Sequence, residues 1–544
     1  SVGMGDLCFY PPNFIFQIPA VQNWAVDRVE RAAEEVTGNR VEIDYFYFAF
    51  FDRLTLRSVY VEDQNTDTLL QVKEMKVNFN LNPFVLIRKG LVIEGLNLRK
   101  AQLNIHRGPG ESKSNLDLFI DQLFPPQTTP KKKSKPFRFE LQTVELEDVS
   151  FLDDNLEKGK RIAVSLKKGT IHIRKMDLPG KQLFAQLVEL SEPDIRIESL
   201  ARPAQRILTV SKIPDPADTL FWEIRVAKFQ LSNGTFAFHD YRRAPVKTTA
   251  ADVLDYKHLD VFNIDINIDT FSLQREVFRG GVKNIAFRDK SGFILNELSA
   301  KQASVSPEGL ILNGCKLITP YSEIGDTLTM RYGQYQNFED DFNNMVRLGL
   351  RLNDASVAIR DIMVFAPQMK SNTFFRSNQD KVLKLTGNFT GVINRLRGDD
   401  LNIELSDGSI VKGSFKFNDL TVKNEQQMQL YLTEAKTTVR TLRQLIPKFD
   451  PPANFDRLGR LNFSGSFVGF FKDFVAEGLL NTDIGSADMD MRMNLKPGRA
   501  RASYSGRIGL TNFDLGKWMG GHKDFGLVNF NANVTNGVGL TAQT

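Results

Sequence analysis

The feature that most constrains this chain is an alternation of apolar and polar residues that breaks at a short polar step and then resumes. It is clearest in Val144-Glu-Leu146-Glu-Asp148-Val-Ser150-Phe151. The same grammar returns in Phe229-Gln-Leu231-Ser-Asn233-Gly-Thr235-Phe236, in Leu350-Arg-Leu352-Asn-Asp354-Ala-Ser356-Val357 and, more loosely, in Leu96-Asn-Leu98-Arg-Lys100-Ala-Gln102-Leu103. Period two is the signature of a β-strand with one apolar and one polar face. Each copy reads as two short strands joined at the step, and such a unit cannot bury its apolar face alone, so neighbours must stack. The copies lie about 48, 85 and 121 residues apart, which rules out a solenoid of fixed period.

The predicted fold class is therefore mainly β: an elongated, twisted β-sheet curled into a groove, with a short N-terminal helix and a few short helices. At a few residues per strand the chain would hold roughly 35 strands and run on the order of 150 Å. The 544 residues exceed one ordinary core, but no composition shift marks a clear boundary. Mean hydropathy is −0.26 although 42 phenylalanines are present. Apolar residues are thus interleaved with polar ones, as one-sided sheets require.

Along the chain, 1–18 reads as the flank of a membrane anchor or a frayed apolar terminus, and no run of about 18 apolar residues spans a membrane. Pro19 and the helical spacing of Val21, Ala25, Val29, Ala32 and Val36 predict an amphipathic helix over 19–38, capped by Gly38. It is expected either to lie at a membrane interface or to plug the first sheet edge. Residues 41–124 form the first groove segment, closing on a serine-capped helix from Ser114 to Phe124. The segment 125–136 is a Pro/Lys-rich loop, 137–330 the middle of the groove and 331–544 its last part. Short helices are expected at 338–345 and 438–446.

Candidate groove residues are the apolar members of these alternations: Val144, Leu146, Phe229, Leu231, Ile264, Ile266, Ile268, Leu350, Leu352, Phe463, Phe467, Phe471, Met489, Met491 and Met493. Gly465 and Gly469, on the same face as Phe463 and Phe467, are expected to leave room for a ligand against the backbone. Phenylalanine and methionine suit flexible apolar ligands. At about 0.8 kcal/mol per buried methylene, an acyl chain of about 16 carbons would gain roughly 12 kcal/mol by leaving water.

Catalytic patterns are missing from the sequence: there is no G-x-S-x-G, H-E-x-x-H, Walker A or Rossmann glycine motif. Gly108 to Ser114 has the wrong spacing for a phosphate loop. Asp252, Asp255, His258 and Asp260 surround a histidine but read as a loop entering a strand, so no metal is expected. With only Cys8 and Cys315, a disulfide framework is excluded. A net charge of +5 from 70 basic and 65 acidic residues makes nucleic acid an unfavoured partner. The expectation is a non-enzyme without cofactor that carries phospholipid. A strand-binding assembly factor and a closed β-sandwich array are the rival readings.

Several segments also resemble the TamB family of the AsmA-like superfamily. They are Phe14-Ile-Phe-Gln-Ile-Pro19-Ala-Val-Gln22, Val59-Tyr-Val61-Glu-Asp63, Phe338-Glu-Asp-Asp341-Phe342, Asp361-Ile-Met-Val-Phe365-Ala-Pro367, Leu445-Ile-Pro447 and Gly465-Ser-Phe-Val-Gly469-Phe, followed by Asp473-Phe474 and Gly478. The resemblance rests on their order over most of the chain. It implies a periplasmic protein of the Gram-negative envelope, held in the inner membrane by an N-terminal anchor and reaching toward the outer membrane. It further implies phospholipid transport between the membranes, or outer-membrane protein assembly with a barrel partner met through a C-terminal domain beyond Gly537-Val-Gly539-Leu540.

Overall fold

Period-two patterning does dominate the chain: among the described residues the computed structural model contains 23 strands and only short helices, so the fold is mainly β. It describes residues 38–49, 52–80, 82, 91–123, 139–177, 180–201, 221–242, 255, 257–334, 337, 341–365, 369–370, 373–420, 422, 425–446, 451–470, 472–521 and 523–539. Before these it describes 24, 26–28, 30–31 and 34–35. The Pro/Lys-rich loop, the region 1–18 and Phe471 lie outside the described residues.

The chain divides into two compact units, the first reaching Ile294 and the second continuing from Leu295. The first holds β1 (Val41–Ala49), β2 (Arg53–Glu62), β3 (Thr68–Asn80), β4 (Leu91–Arg107), β5 (Phe139–Asn155), β6 (Lys160–Asp177), β7 (Gln182–Ser199), β8 (Glu223–Asp240), β9 (His258–Gln274) and β10 (Val277–Asp289). Each pairs with the next in order. The pairing is antiparallel except for β4 with β5 and β7 with β8, which are parallel.

The second unit is antiparallel throughout. It holds β11 (Ile294–Ser306), β12 (Gly309–Ile318), β13 (Glu323–Arg331), β14 (Arg347–Ala358), β15 (Val382–Val392), β16 (Arg395–Leu405), β17 (Ile410–Asn418) and β18 (Gln427–Thr438). β19 (Arg460–Phe470), β20 (Asp473–Thr482), β21 (Gly485–Asn494), β22 (Ser503–Asp514) and β23 (Leu527–Val538) complete it.

The polar step has a single physical basis. At its centre one residue adopts a left-handed backbone: Lys100 (φ 49°), Asp148 (50°), Asn233 (51°) and Asp354 (52°) in the four copies read from sequence. Six more strands carry the same device, at Ser58 (φ 52°), Glu192 (50°), Asn263 (51°), Gly314 (55°), Asp400 (53°) and Asn512 (49°). Around each, apolar residues or glycine stand four and two positions before and one and three after, as in Leu54, Leu56, Val59 and Val61. The step shifts the alternation by one residue and so returns the apolar side chains to the same face. Bulges of this kind bend a strand. Register shifts mark it where the neighbour does not step in the same place, between Leu352 and Ala355 and between Gly398 and Leu401.

This corrects the reading of two short strands per unit and the count of roughly 35. The alternation breaks, yet hydrogen bonding continues, and β6, β7 and β8 each run 18 residues. Six of the nine non-glycine steps just named are Asp or Asn, the side chains that best tolerate the left-handed region.

Helices close one end of the first unit. The described residues between 24 and 35 are helical. Val26, with Leu116 and Phe119 of α1 (Asn115–Leu123), packs on a core of Val41, Ile43, Val59, Val61, Leu69, Val72 and Ala101. The amides of Ile43 and Val41 donate to the carboxylates of Glu30 (2.5 Å) and Glu34 (3.3 Å). The helix thus satisfies amides that β1 does not spend on β2, as an edge plug does. α1 begins with a reciprocal cap: the Asp117 amide donates to Ser114 Oγ (3.1 Å) while the Ser114 amide donates to the Asp117 carboxylate (3.0 Å). That backbone hydrogen bond holds the Asp117 carboxyl below its usual range. In the second unit, where a helix is expected over 438–446, α2 spans Val439–Leu445 and Thr438 is its cap, its side chain accepting from the Thr441 amide.

Candidate functional site: the apolar face

Residues paired directly across neighbouring strands share a face. In the first unit one such row crosses all ten strands: Phe46, Leu56, Met75, Leu98, Leu146, Gly169, Leu190, Leu231, Ile266 and Ile285. In the second a row crosses all thirteen: Ala303, Leu312, Leu328, Leu350, Phe389, Gly398, Phe415, Leu430, Phe467, Ala476, Met491, Gly506 and Val534. No polar side chain interrupts either row. At about 4.8 Å per strand the rows extend roughly 43 and 58 Å. Each is longer than an acyl chain, which fills about half of a hydrocarbon core roughly 30 Å thick.

The candidate residues fall on or beside these rows. Leu146, Leu231, Ile266, Leu350, Phe467 and Met491 are members. Val144 faces Leu96 and Ile171, Ile264 faces Gly234, and Ile268 lies between Phe229 and Val282. In the second unit Leu352 faces Gly387, Met489 lies between Gly478 and Ile508, and Met493 between Phe474 and Tyr504. The Phe467 ring centroid sits 5.2 Å from that of Phe463 and 6.0 Å from that of Phe474. The structure therefore gathers the candidates of each unit onto one face.

That face is only partly covered. Among the described residues of β5 to β10 the buried hydrophobic ones are Val144, Leu166, Ala185, Val226, Leu231 and Val282, at 5–9 % exposure. Leu146, Phe229, Ile264, Ile266 and Ile268 remain half-exposed. The helix-covered end contrasts with this, since Leu69 and Val72 there are each 1 % exposed.

The opposite face carries the charges, paired in place: Lys167 with Asp148 (3.5 Å), Lys283 with Asp269 (3.3 Å), Lys412 with Glu434 (2.9 Å) and Arg507 with Asp488 (3.1 Å). Hydrogen bonds from Lys436 and Lys412 hold the Glu434 carboxyl below its ordinary range. Open depressions on this polar side are bordered by Lys168, Glu189, Gln230 and Asn267, and by Arg196, Thr235, His239 and Asp260.

One expectation fails. The space over Gly465 does not admit a ligand to the backbone, because the Phe463 ring fills it: Cζ lies 2.7 Å from where a Cβ on Gly465 would stand and 2.9 Å from one on Gly478. A large side chain collapses onto bare backbone because that contact removes apolar surface from water.

Of the acidic cluster, Asp252 lies outside the described residues, while Asp260 sits 3.0 Å from His239 Nε2. Among the described residues no group of three His, Cys, Asp or Glu side chains is arranged to hold a metal, and no helix is long and apolar enough to cross a membrane.

Sequence reasoning missed six of the ten steps because their centres share no residue type: Ser58, Glu192 and Gly314 stand where Asp148 and Asn233 do. The spacing of apolar residues four and two before and one and three after would have found them. No family model, curated protein or solved structure matches the chain.

Proposed function

We propose that this chain is a lipid conduit: a periplasmic, bridge-like transfer protein whose apolar face carries phospholipid acyl chains between the inner and outer membranes. The observation that supports it is the unbroken apolar row across every strand of each unit, on a face left half-exposed. Folding alone would favour covering that surface, because each Å² taken from water contributes about 25 cal/mol. A lipid tail covers it without fixing a structure and, because the row has no polar break, slides without crossing a polar barrier. Headgroups stay in water at the rim. No step of this function requires chemistry, so no catalytic group is assigned. The resemblance to the TamB family adds the envelope location, the membrane anchor and the barrel partner as parts of the same proposal.

The test is lipid analysis by mass spectrometry of the purified chain beside Ile266→Asp and Phe467→Glu, each checked for fold by circular dichroism. Stoichiometric phospholipid on the wild type and its loss from both variants is the expected result. A lipid-free wild type would leave the assembly-factor reading. That reading draws on β23, where Leu527 and Val538 are 66 % and 60 % exposed.

A further inference from the structure

Glycine inside a strand weakens it, so an interior glycine with ordinary φ asks for a packing reason. Gly169, Gly234 and Gly398 are such residues on the apolar face, and all three lie under a neighbour. A Cβ built on Gly169 would stand 2.7 Å from Leu166 Cδ2, and one on Gly234 2.7 Å from Leu231 Cδ2. On Gly398 it would stand 2.5 Å from Phe415 Cε1 and 2.9 Å from Leu401 Cδ1. Leu166, Leu231 and Phe415 therefore lie down along the sheet instead of standing off it.

We propose that these three glycines are specificity-determining positions that set the depth of the apolar face and thereby decide that an acyl chain can lie across the strands there. The inference rests on the conduit reading. Carbon atoms pack at about 3.5–4.0 Å. A methyl at any of these positions must push the covering side chain back by roughly 1 Å, and the sheet leaves one direction open, away from the backbone and into the path of the ligand. Gly169 and Gly398 stand within the rows themselves, so the step they raise falls on the line that a chain would follow. Gly349 supplies the control. It too has an ordinary φ and would crowd a neighbour, Thr329 Oγ1, but it faces the polar side, between Leu348 and Leu350.

The experiment loads the full chain from phosphatidylcholine vesicles with a phospholipid bearing one fluorescent acyl chain, and compares wild type, Gly398→Ala, Gly169→Ala, Gly234→Ala and Gly349→Ala. Circular dichroism and thermal unfolding are recorded for each. The expected result is that Gly398→Ala and at least one of the other two apolar-face variants, while folded, load at least twofold less than wild type, and that Gly349→Ala loads as wild type does. Loading that is unchanged in all three apolar-face variants overturns the inference and leaves the conduit standing. So does loading that falls equally in Gly349→Ala, because it then follows stability alone. A wild type that takes up no lipid overturns the conduit reading and this inference with it.

Discussion

Truncating Leu69 and Ile266 in parallel measures whether the apolar face is covered. Both side chains are aliphatic, both belong to the first unit, and they differ in surroundings. Leu69 is 1 % exposed beneath the helices, so Leu69→Ala loses its transfer free energy and leaves a sealed cavity, at about 3 kcal/mol. Ile266 is half-exposed. Ile266→Ala removes only the buried part of its contact and opens no enclosed void, so about 1 kcal/mol is expected. Aspartate widens the gap. At Leu69 it would be an unpaired charge in a closed core and would unfold that end, whereas at Ile266 the carboxylate reaches water and the cost stays at roughly 1–2 kcal/mol. The assay is urea unfolding of the lipid-free chain, with an unchanged slope confirming that only stability moved. If Ile266→Ala costs as much as Leu69→Ala, the face is covered by protein, and the argument from an open apolar surface is refuted.

Other predictions concern the devices that shape and close the sheet. Lys100 holds a left-handed backbone that Asn and Gly adopt more readily, so Lys100→Asn is expected to raise stability by about 0.5–1 kcal/mol, read as a higher urea midpoint. Removing the edge plug with Glu30→Ala and Glu34→Ala together should cost about 1–2 kcal/mol and expose the amides of β1, giving concentration-dependent association by light scattering. Glu74, whose side chain is 8 % exposed, sits among Lys76 (3.0 Å), Arg57 (3.2 Å) and Arg99 (3.5 Å). Hydrogen bonding from Lys76, against the opposing effect of burial, lowers its carboxyl below the ordinary value. A lowered carboxyl contributes stability that is complete above the unfolded-state value, about 4.3, and is lost as pH falls through the folded-state value. Thermal unfolding from about pH 5 to about pH 3 should therefore drop more steeply for the wild type than for Glu74→Gln.

Sequence by itself determined the class of this protein, since alternation is a local property: Ile264, Ile266 and Ile268 share a face of any extended strand whatever surrounds it. It also determined the cap at Ser114, where a side chain reaches its own helix. Strand continuity was hidden for a physical reason. A left-handed residue inside a strand leaves no fixed amino-acid signature, because Asp148, Lys100 and Glu192 adopt the same backbone, so a bend that hydrogen bonding carries through reads as an end. Only tertiary structure decided register, which brings Leu146, Leu190 and Leu231 into one line from segments up to 85 residues apart. It alone decided what lies over that line: helices at the end marked by Leu69, and over Ile266 a face still half open. Burial belongs to the assembled neighbourhood of a residue, and no period within its own strand can state it.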